Sequence, residues 1–356
     1  MSGAGGRVFA LFRVAAGPRL GHGHLRRAEA LAAALGRPAC VSVRGRGAPT
    51  TLATIPPRPP AGAIDASRPA VLVLDDPSAT ASLAWCRAAR ERGIPVVSLH
   101  DLGLGQIPST LAIDGSVTSP QRGWPSSSVL RGLAHAMIRP PRRSRRNGTV
   151  RRVLISLGGG PRCTLIGALA REIGRRWPGL DIVVPSAVAS ARERLAGPAD
   201  RFGRAGDRCV GHGQGFVAGD ASPDGRDGRR GGVRVVAAPL GLADVLAGVD
   251  VAILGGGVSL YEAVAAGVPS IGVAVVPAQR ATIAGFAARD LVCDGGVVER
   301  RSSHAVARRV ADRLARIIED PAWRRRVRRE GPRAVDGRGV TRVARALVAV
   351  AEGRHA

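Results

Sequence analysis

The chain contains no lysine, and this absence limits the phosphate-binding motifs that it can carry. All 53 basic residues are arginines. A P-loop needs a lysine that reaches the phosphates of the nucleotide, so none of the glycine-rich segments is a P-loop. The segment GGGVS (255–259) also lacks the G-x-G-x-x-G spacing of the dinucleotide-binding fingerprint.

Aromatic residues, paired cysteines and long apolar runs are also scarce. Aromatics make up 3% of the chain against 45% apolar residues overall, so a globular protein must build its cores from Ala, Val and Leu. The five cysteines are spread singly, which argues against a zinc site or a disulfide scaffold and is typical of a reducing cytosol. No signal-peptide pattern and no apolar run of membrane-spanning length occurs. We therefore expect a soluble, cytoplasmic protein.

The net charge of +26 favours anionic partners. Nucleic-acid-binding domains cluster their basic residues and stack bases on aromatic side chains. Here the arginines are scattered over all segments and aromatic residues are few, so we expect no specific nucleic-acid binding. A general attraction to anionic substrates or to an anionic membrane surface is the better interpretation.

The chain contains two segments of similar layout, and this repetition predicts two domains. Each half opens with an apolar strand, a glycine-containing turn and a helix, at 7–35 and at 153–176. Two breaker-rich segments, 44–69 and 203–232, are predicted to be loops, with one poor strand as an alternative in the first. The predicted parts are an N-terminal Rossmann-like domain (1–140), an arginine-rich linker (141–150), a second Rossmann-like domain (151–335) and a final helix (336–356).

The segment DVAILGGGVSLYEAVAAGVPSIGVAVVPAQR (250–280) predicts a strand, a glycine turn, a helix and a second strand. Residues 251–254 have the apolar character of a strand buried on both faces. The three glycines at 255–257 break the strand, and glycine tolerates the positive φ and the close backbone approach that such a turn usually needs. A helix beginning at Ser259 would place free N–H groups and the positive end of its dipole at this turn. That arrangement suits a diphosphate.

Glu262 admits two interpretations. A carboxylate near the start of the helix can accept hydrogen bonds from the ribose of a nucleotide whose phosphates lie on the glycine turn. The spacing Ser259-x-x-Glu262 is also a capping box, in which the two side chains only close the helix end. The local sequence supports both interpretations.

The first domain places a histidine at the corresponding turn. The segment GHGHLRR (21–27) lies between a predicted strand and a predicted helix, at the sheet edge where ligands of open α/β sheets bind. His24 can act there as a general base toward water, because imidazole titrates near neutrality. Alternatively, it only caps or packs the helix start. A His22/His24 pair lacks a third metal ligand, so no metal is expected.

Two later strands end in polar residues at the same edge. The run DDP (75–77) follows an apolar strand. On one interpretation Asp75 faces the ligand; on the other, Asp76 and Pro77 only form the N-cap and first residue of the next helix. His100, at the end of the following strand, is a second candidate for the active site.

A second glycine turn opens the second domain. Gly158, Gly159 and Gly160 follow a predicted strand and precede a helix. In two facing Rossmann-like halves this turn would line the same cleft, although a glycine turn alone is a weak phosphate-binding signal.

These motifs resemble those of MurG-like GT-B proteins. Within them, the chain is similar to the UDP-sugar hydrolase of pseudaminic acid biosynthesis and to related spore-coat polysaccharide proteins. The resemblance is carried by GHGHLRR (21–27), which matches the family's G-x-G-H-x-x-R opening, and by GGGVSLYEAVAAGVP followed by PAQR (255–280). It implies an α/β protein of the GT-B class, with two Rossmann-like domains facing a central cleft.

The resemblance also implies a reaction. It would be hydrolysis of a UDP-2,4-diacetamido-2,4,6-trideoxyhexose to the free sugar and UDP, without metal or cofactor. His24 matches the key active-site histidine of the family. The residues implied to bind the substrate are Gly21, Gly23, Arg27, Asp75, Gly158, Gly159, Gly255, Gly256, Gly257, Ser259, Glu262 and Gln279.

Two departures from the family affect the sugar side of the site. Pro77 or Ser78 stands where an aromatic residue is usual, and Ala278 precedes Gln279 where Asn is favoured. One alternative is therefore a GT-B glycosyltransferase that passes the sugar of the same UDP-sugar to an acceptor. Another is a nucleotide-sugar-binding protein without catalysis. The implied partner is a UDP-sugar, and nothing in the sequence indicates an oligomeric state.

Overall fold

A computed structural model describes most of the chain as two compact units. Unit 1 comprises Met1–Arg139 and Asp336–Ala356, and unit 2 comprises Pro140–Val335. The described residues are 7–17, 23–45, 50–101, 107–118, 128–139, 148–158, 163–186, 232–238, 241–298 and 303–354. Most of the predicted linker (141–147) and of the predicted loop at 203–232 lies outside these ranges.

Unit 1 is built on a parallel seven-stranded sheet. Its elements are β1 (Ala10–Ala15), α1 (Gly23–Leu35), β2 (Ala39–Arg44), β3 (Ala53–Thr54), α2 (Pro60–Ser67), β4 (Val71–Asp75), α3 (Ala79–Arg90), β5 (Val96–His100), β6 (Leu111–Asp114), β7 (Ser128–Arg131) and a 3₁₀ turn (Leu133–His135). The strand order is β3-β2-β1-β4-β5-β6-β7. The order reverses between β1 and β4, which is the topological switch point where ligands of open α/β sheets bind.

The helix α2 corrects the expectation of a loop at 44–69. Pro60 begins this helix, and Arg68 ends it in the left-handed conformation. Ala63 and Ile64 are buried against the sheet. The sequence signal was weak because eight residues between proline-rich segments give barely two turns of apolar periodicity.

Unit 2 repeats this design with six parallel strands. Its elements are β8 (Arg152–Ser156), α4 (Cys163–Arg176), β9 (Asp181–Ser186), β10 (Gly232–Ala237), α5 (Ala243–Leu246), β11 (Val251–Gly255), α6 (Val258–Ala266), β12 (Ser270–Ala274), α7 (Gln279–Ala287), β13 (Cys293–Val297), α8 (Ser303–Glu319) and α9 (Pro321–Ala334). The order β10-β9-β8-β11-β12-β13 reverses between β8 and β11. The predicted fold class, α/β with two Rossmann-like domains, is confirmed.

The last helix, α10 (Gly339–Ala351), is part of the core of unit 1. Val343 and Leu347 are fully buried in the same apolar cluster as Phe12 of β1 and Leu31 of α1. Aliphatic side chains fill most of this core, as the low aromatic content requires. None of the helices within the described ranges has the length and apolar composition needed to cross a bilayer.

The cysteines depart in one case from the expectation of unpaired thiols. Cys40, Cys86 and Cys293 are free, whereas Cys163 at the start of α4 is disulfide-bonded. Burial raises the pKa of the Cys40 and Cys86 thiols to about 11. These two thiols are therefore protonated at neutral pH and act as small apolar core residues.

Candidate functional site

The predicted residues of unit 1 meet at its switch point. His24 and Arg27 lie on the first turns of α1, which follows β1, and Asp75 is the last residue of β4. Because β1 and β4 are neighbours in register, with Val14 opposite Asp75, the start of α1 reaches across the end of β4. Gly23 begins α1, and Gly21 lies outside the described residues.

His24 is held by a buried carboxylate. Its Nδ1 lies 2.7 Å from Oδ1 of Asp75, whose side chain is only 3% exposed. The His24 side chain remains 22% exposed, so part of the imidazole reaches solvent. The structure therefore joins two residues that the sequence could only place at the same sheet edge.

Arg27 completes this cluster from the next turn of α1. Its Nε and Nη2 donate to the two carboxylate oxygens of Asp75, at 2.9 and 2.6 Å, and its Nη1 donates to Oδ1 of Asp101 at 2.6 Å. Arg27 is 7% exposed. Because all three nitrogens of the guanidinium donate to protein carboxylates, Arg27 orders the cluster rather than presenting a free charge.

Three polar atoms of the cluster, one from each of His24, Arg27 and Asp75, lie within hydrogen-bond distance of one another. Nη2 of Arg27 lies 2.8 Å from His24 Nδ1 and 2.6 Å from the same Asp75 oxygen that Nδ1 approaches. Guanidinium is only a donor, so Arg27 can donate to Nδ1 only when the imidazole proton lies on Nε2. When Nδ1 carries the proton instead, Asp75 Oδ1 accepts from both Nδ1 and Nη2. In that tautomer the lone pair of the imidazole lies on Nε2.

Charge pairing sets the ionisation of the cluster. Desolvation alone would lower the pKa of Arg27, but Asp101 and Asp75 outweigh it and raise that pKa well above its usual value. Desolvation works against ionisation of Asp101, yet Arg27 lowers the pKa of its carboxyl below the usual range. Both partners are therefore charged at neutral pH. Asp101 was not predicted as a site residue, although its place directly after β5 is the same signal that identified Asp75.

Asp76 belongs to a separate ionic cluster and is not the helix N-cap. The N-cap of α3 is Ser78, whose Oγ accepts from the Ala81 N–H at 3.4 Å. The carboxylate of Asp76 accepts three hydrogen bonds from Arg44, at 3.1, 2.8 and 2.6 Å, and one from the Ser78 N–H. Burial opposes ionisation of Asp76, but these bonds lower its pKa. The N-cap interpretation of Asp76 is therefore wrong.

His100 lies in a buried chain of polar side chains. It is 2% exposed, and its Nε2 lies 2.7 Å from Ser98 Oγ, which in turn lies 2.7 Å from Ser109 Oγ. This second candidate histidine is thus bound into the interior of unit 1, whereas His24 is partly exposed.

The glycine turn of unit 2 lies at its own switch point, after β11. A Cβ on Gly256 would meet the backbone oxygen of Gln279 at 2.6 Å, and a Cβ on Gly255 would meet that of Leu157 at 3.2 Å. None of the three glycines at 255–257 has a positive φ. The expected close approach is correct for these two positions, where the approaching group is the protein's own backbone, and the expected positive φ is wrong.

Gly257 differs from its two neighbours. It is the N-cap of α6 with φ −100°, and a Cβ there would meet nothing within 4 Å. No side chain caps this helix end. The packing of the described residues therefore gives no reason for glycine at this position beyond its acceptability as an N-cap.

The capping-box interpretation of Ser259 and Glu262 is wrong. The helix begins at Val258, so Ser259 lies inside its first turn, and no side chain accepts a hydrogen bond at the cap. Glu262 lies on the second turn rather than the first and is 8% exposed. Glu262 does not close the helix end, because no side chain forms a cap hydrogen bond there within the described residues.

Gln279 and Gly158 complete the surroundings of the turn. The Oε1 of Gln279 accepts from the Val275 N–H at 3.0 Å, which fixes the side chain beside Gly255. Gly158, after β8, has a φ of +89° and so occupies a conformation that favours glycine. Gly159 lies outside the described residues. Within the described ranges, no three His, Cys, Asp or Glu side chains come close enough to hold a metal ion together.

Comparison with known proteins rests on structure. The sequence matches no protein-family model and no curated protein. MurG from Acinetobacter baumannii superposes with a TM-score of 0.58 at 13% identity, over 96% of this chain and 99% of that one. The spinosyn rhamnosyltransferase SpnG complexed with thymidine diphosphate gives 0.55 at 17% identity, over 97% and 100%. The UDP-GlcNAc 2-epimerase from Neisseria meningitidis, bound to UDP-GlcNAc, gives 0.55 at 12% identity, over 95% and 99%.

At identities this low, the superpositions show a shared fold and nothing finer. They support the GT-B part of the resemblance found in the sequence, whereas membership of the hydrolase family stays a prediction. The chain therefore has the GT-B fold of two Rossmann-like α/β domains.

Proposed function

We propose that the protein hydrolyses a UDP-activated N-acetylated amino sugar to the free sugar and UDP, in nonulosonic acid or surface-polysaccharide synthesis. The observation that carries this proposal is the 2.7 Å contact between His24 Nδ1 and Asp75 Oδ1 at the switch point of unit 1. A histidine with one ring nitrogen fixed by a buried carboxylate presents the other nitrogen as a base.

In the proposed reaction, Nε2 of His24 takes a proton from water. The water oxygen forms a bond to the anomeric carbon of the sugar, and the bond from that carbon to the diphosphate oxygen breaks. The electron pair leaves with UDP. Asp75 stabilises the imidazolium that forms, which is how a carboxylate behind a catalytic histidine acts.

On this proposal Arg27 and Asp75 position His24 and do not contact the sugar. Both are nearly buried, at 7% and 2% exposed, and the polar contacts described above lie within the cluster. Their predicted role in substrate binding becomes a positioning role. Gly21 and Gly23 would form the entrance to the helix that carries His24.

The nucleotide would bind to unit 2. The uncapped start of α6 offers N–H groups and the positive end of the helix dipole to a diphosphate. Gly257 leaves space for that approach. Ser259 would add a hydroxyl, Glu262 would accept from the ribose, and Nε2 of Gln279 would remain as a donor because its Oε1 is already bonded.

A nucleoside diphosphate and a nucleotide sugar are the ligands in the solved structures of two proteins that share this fold. SpnG was solved with thymidine diphosphate, and the epimerase with UDP-GlcNAc. Strand β8 is the neighbour of β11 in the sheet order, so Gly158, which follows β8, would contribute to the same phosphate site. Gly159 is proposed for that site from the sequence alone. The identity of the sugar rests on the sequence resemblance alone.

The direct test is release of UDP from a panel of UDP-N-acetylated sugars without any acceptor. We expect His24→Ala to lower kcat by roughly 10²–10⁴-fold while UDP still binds, because general-base catalysis contributes that much. His304→Ala is the matched control, since His304 is an exposed residue at the start of α8. Equal UDP release by wild type and His24→Ala would contradict the proposal.

A glycosyltransferase is the second candidate, and the solved structures of MurG and SpnG with the same fold favour it. The same imidazole would then take the proton of an acceptor hydroxyl. UDP release that starts only when an acceptor is added would identify this function. UDP binding without turnover, unchanged by His24→Ala, would identify a binding protein.

A further inference from the structure

An open cavity of about 880 Å³ lies at the amino edge of the unit 2 sheet. Residues 148–150, which precede β8, line one side of it, and the first turns of α9 line the other. The glycine turns lie at the opposite edge of the same sheet. A five-residue strand separates the two edges by roughly 15 Å, so this cavity is separate from the proposed nucleotide site.

Four arginines on two successive turns of α9 line the cavity. They are Arg324, Arg325, Arg328 and Arg329. Positions four apart on a helix lie on one face, and like charges there repel. Of the four, Arg329 forms an ion pair with Glu330 at 2.6 Å.

Arg324 has a structural role that accounts for most of its nitrogens. Its Nη1 donates to the carbonyl oxygens of Ile317 and Ile318 at 2.6 Å, which holds the end of α8, and its Nη2 donates to Gly148 O at 3.2 Å. The residue is 6% exposed, and its buried Nε has no hydrogen-bond acceptor among the described residues.

Arg328 has no comparable explanation. Its Nε is also buried without an acceptor, and no carboxylate of the described residues forms an ion pair with Arg328 or Arg325. Burial and the charge of Arg324 lower the pKa of Arg328, and Asp250 only partly offsets this. One carboxylate oxygen of Asp250 accepts hydrogen bonds from the backbone N–H groups of Arg151 and Arg152. A partly desolvated charge without a counterion is destabilising.

We propose that this arginine cavity binds a phosphate-bearing anion. A guanidinium offers paired donors that match phosphate oxygens, and a second guanidinium one turn away suits a group with two or more negative charges. Binding would supply a counterion for Arg325 and Arg328 and would relieve the repulsion among the neighbouring guanidinium groups. The anion is either a soluble phosphate compound or the headgroup of an anionic lipid.

The test uses the full chain with UDP at saturating concentration, so that added phosphate does not compete for the nucleotide site. Inorganic pyrophosphate is titrated in by calorimetry, and phosphatidylcholine vesicles containing phosphatidylglycerol are tested by co-sedimentation. The variant Arg325→Gln/Arg328→Gln should weaken binding by about tenfold or more. The control Arg308→Gln/Arg345→Gln removes the same charge from exposed positions on other helices and should change binding by less than about twofold.

The outcomes separate the sources and can overturn the proposal. Cavity-dependent binding of pyrophosphate indicates a soluble ligand, and cavity-dependent binding of vesicles alone indicates a lipid headgroup. An equal loss of binding in both double variants would mean that binding depends on net charge and not on the cavity, which would refute the site. A wild type that binds neither pyrophosphate nor vesicles would also refute it. The comparison between the two double variants does not depend on whether UDP is a product of the reaction.

A melting experiment distinguishes a ligand site from a structural one. Without added anion, Arg328→Gln should keep or raise the melting temperature, because it removes an unpaired charge. With pyrophosphate, the wild type should gain more stability than the variant, because a ligand stabilises the state that binds it. A lower melting temperature in the variant together with unchanged pyrophosphate binding would make Arg328 a structural residue and contradict the proposal.

Discussion

The strand order reverses between β1 and β4 in unit 1 and between β8 and β11 in unit 2, but the residues at the two places differ in kind. Unit 1 has polar side chains that bind one another: His24 and Arg27 both contact the buried Asp75. Unit 2 has glycines and an uncapped helix start. One topology thus supports a positioned side chain in one unit and an exposed backbone in the other.

This difference indicates a division of labour. A fixed imidazole is suited to proton transfer, whereas backbone N–H groups are suited to binding an anion without titrating. Changes in unit 1 should therefore affect turnover, and changes in unit 2 should affect nucleotide affinity or folding. The first three predictions below test that separation, and the fourth tests the separate ionic cluster of Asp76 in unit 1.

Asp75→Asn should have the largest effect. The amide can donate to His24 Nδ1, which favours the tautomer with the proton on Nε2 and removes the base. We expect kcat for UDP release to fall by roughly 10²–10⁴-fold with little change in UDP affinity. The control Asp65→Asn changes an exposed carboxylate that pairs with Arg92. A fall in UDP affinity as large as the fall in kcat would contradict the proposed division of roles, in which unit 1 governs turnover and unit 2 governs nucleotide affinity.

Gly256→Ala should destabilise the fold. The added Cβ would lie 2.6 Å from the backbone oxygen of Gln279, so β11 and α7 must move apart. We expect the free energy of unfolding to fall by about 1–3 kcal/mol, as for other overpacked sites. Chemical denaturation measures this loss. Gly174→Ala in α4, where a Cβ meets nothing within 4 Å, should instead stabilise by up to about 1 kcal/mol.

Gly257→Ala should leave stability within about 0.5 kcal/mol of the wild type, because its Cβ enters open space and its φ is −100°. It should weaken UDP binding about tenfold, since the methyl group occupies the path of the diphosphate. Calorimetric titration with UDP measures this effect. Unchanged affinity would show that the nucleotide does not approach this position.

Asp76→Asn should reduce the sensitivity of unit 1 to acid. Arg44 holds the pKa of the Asp76 carboxyl low against the effect of burial. A depressed folded-state pKa gives stability that is complete above the unfolded pKa of about 3.9 and is lost as pH falls through the folded value.

At neutral pH the Asp76→Asn variant should therefore be less stable than the wild type by about 1 kcal/mol, and the two should converge as the pH falls through the lowered folded-state pKa of Asp76. Melting curves at several pH values measure the convergence. Asp244→Asn, at an exposed position of α5, serves as the control. Parallel curves for wild type and Asp76→Asn would contradict the prediction.

Much of the fold could be predicted from the sequence because its signals are local. The strand at β11 is a short run of buried apolar residues bounded by glycine, and α10 shows its apolar face at Val343 and Leu347. The helix α2 gave too short a period for such a prediction. The start of α6 was placed one residue late because Gly257, which has no side chain to signal a cap, is its N-cap.

The site could be predicted only in part because its defining contacts are distant in sequence. His24 and Asp75 are 51 residues apart, and Arg27 and Asp101 are 74 apart. The sequence placed His24 and Arg27 at a strand-to-helix turn and Asp75 at the end of a later strand, but only the strand order β1-β4-β5 brings them and Asp101 together. The sequence also could not distinguish the three glycines at 255–257, because their surroundings depend on contacts distant in sequence. Leu157 lies beside Gly255 and Gln279 beside Gly256, whereas Gly257 faces open space.

The most direct test of the central claim is UDP-sugar turnover in water labelled with heavy oxygen, without acceptor, for wild type and His24→Ala. Attack of water on the anomeric carbon predicts that wild type releases UDP carrying no label and that His24→Ala releases little UDP. Label in the terminal phosphate of UDP would mean attack on phosphorus. That result, or an equal rate of release by His24→Ala, would contradict the account.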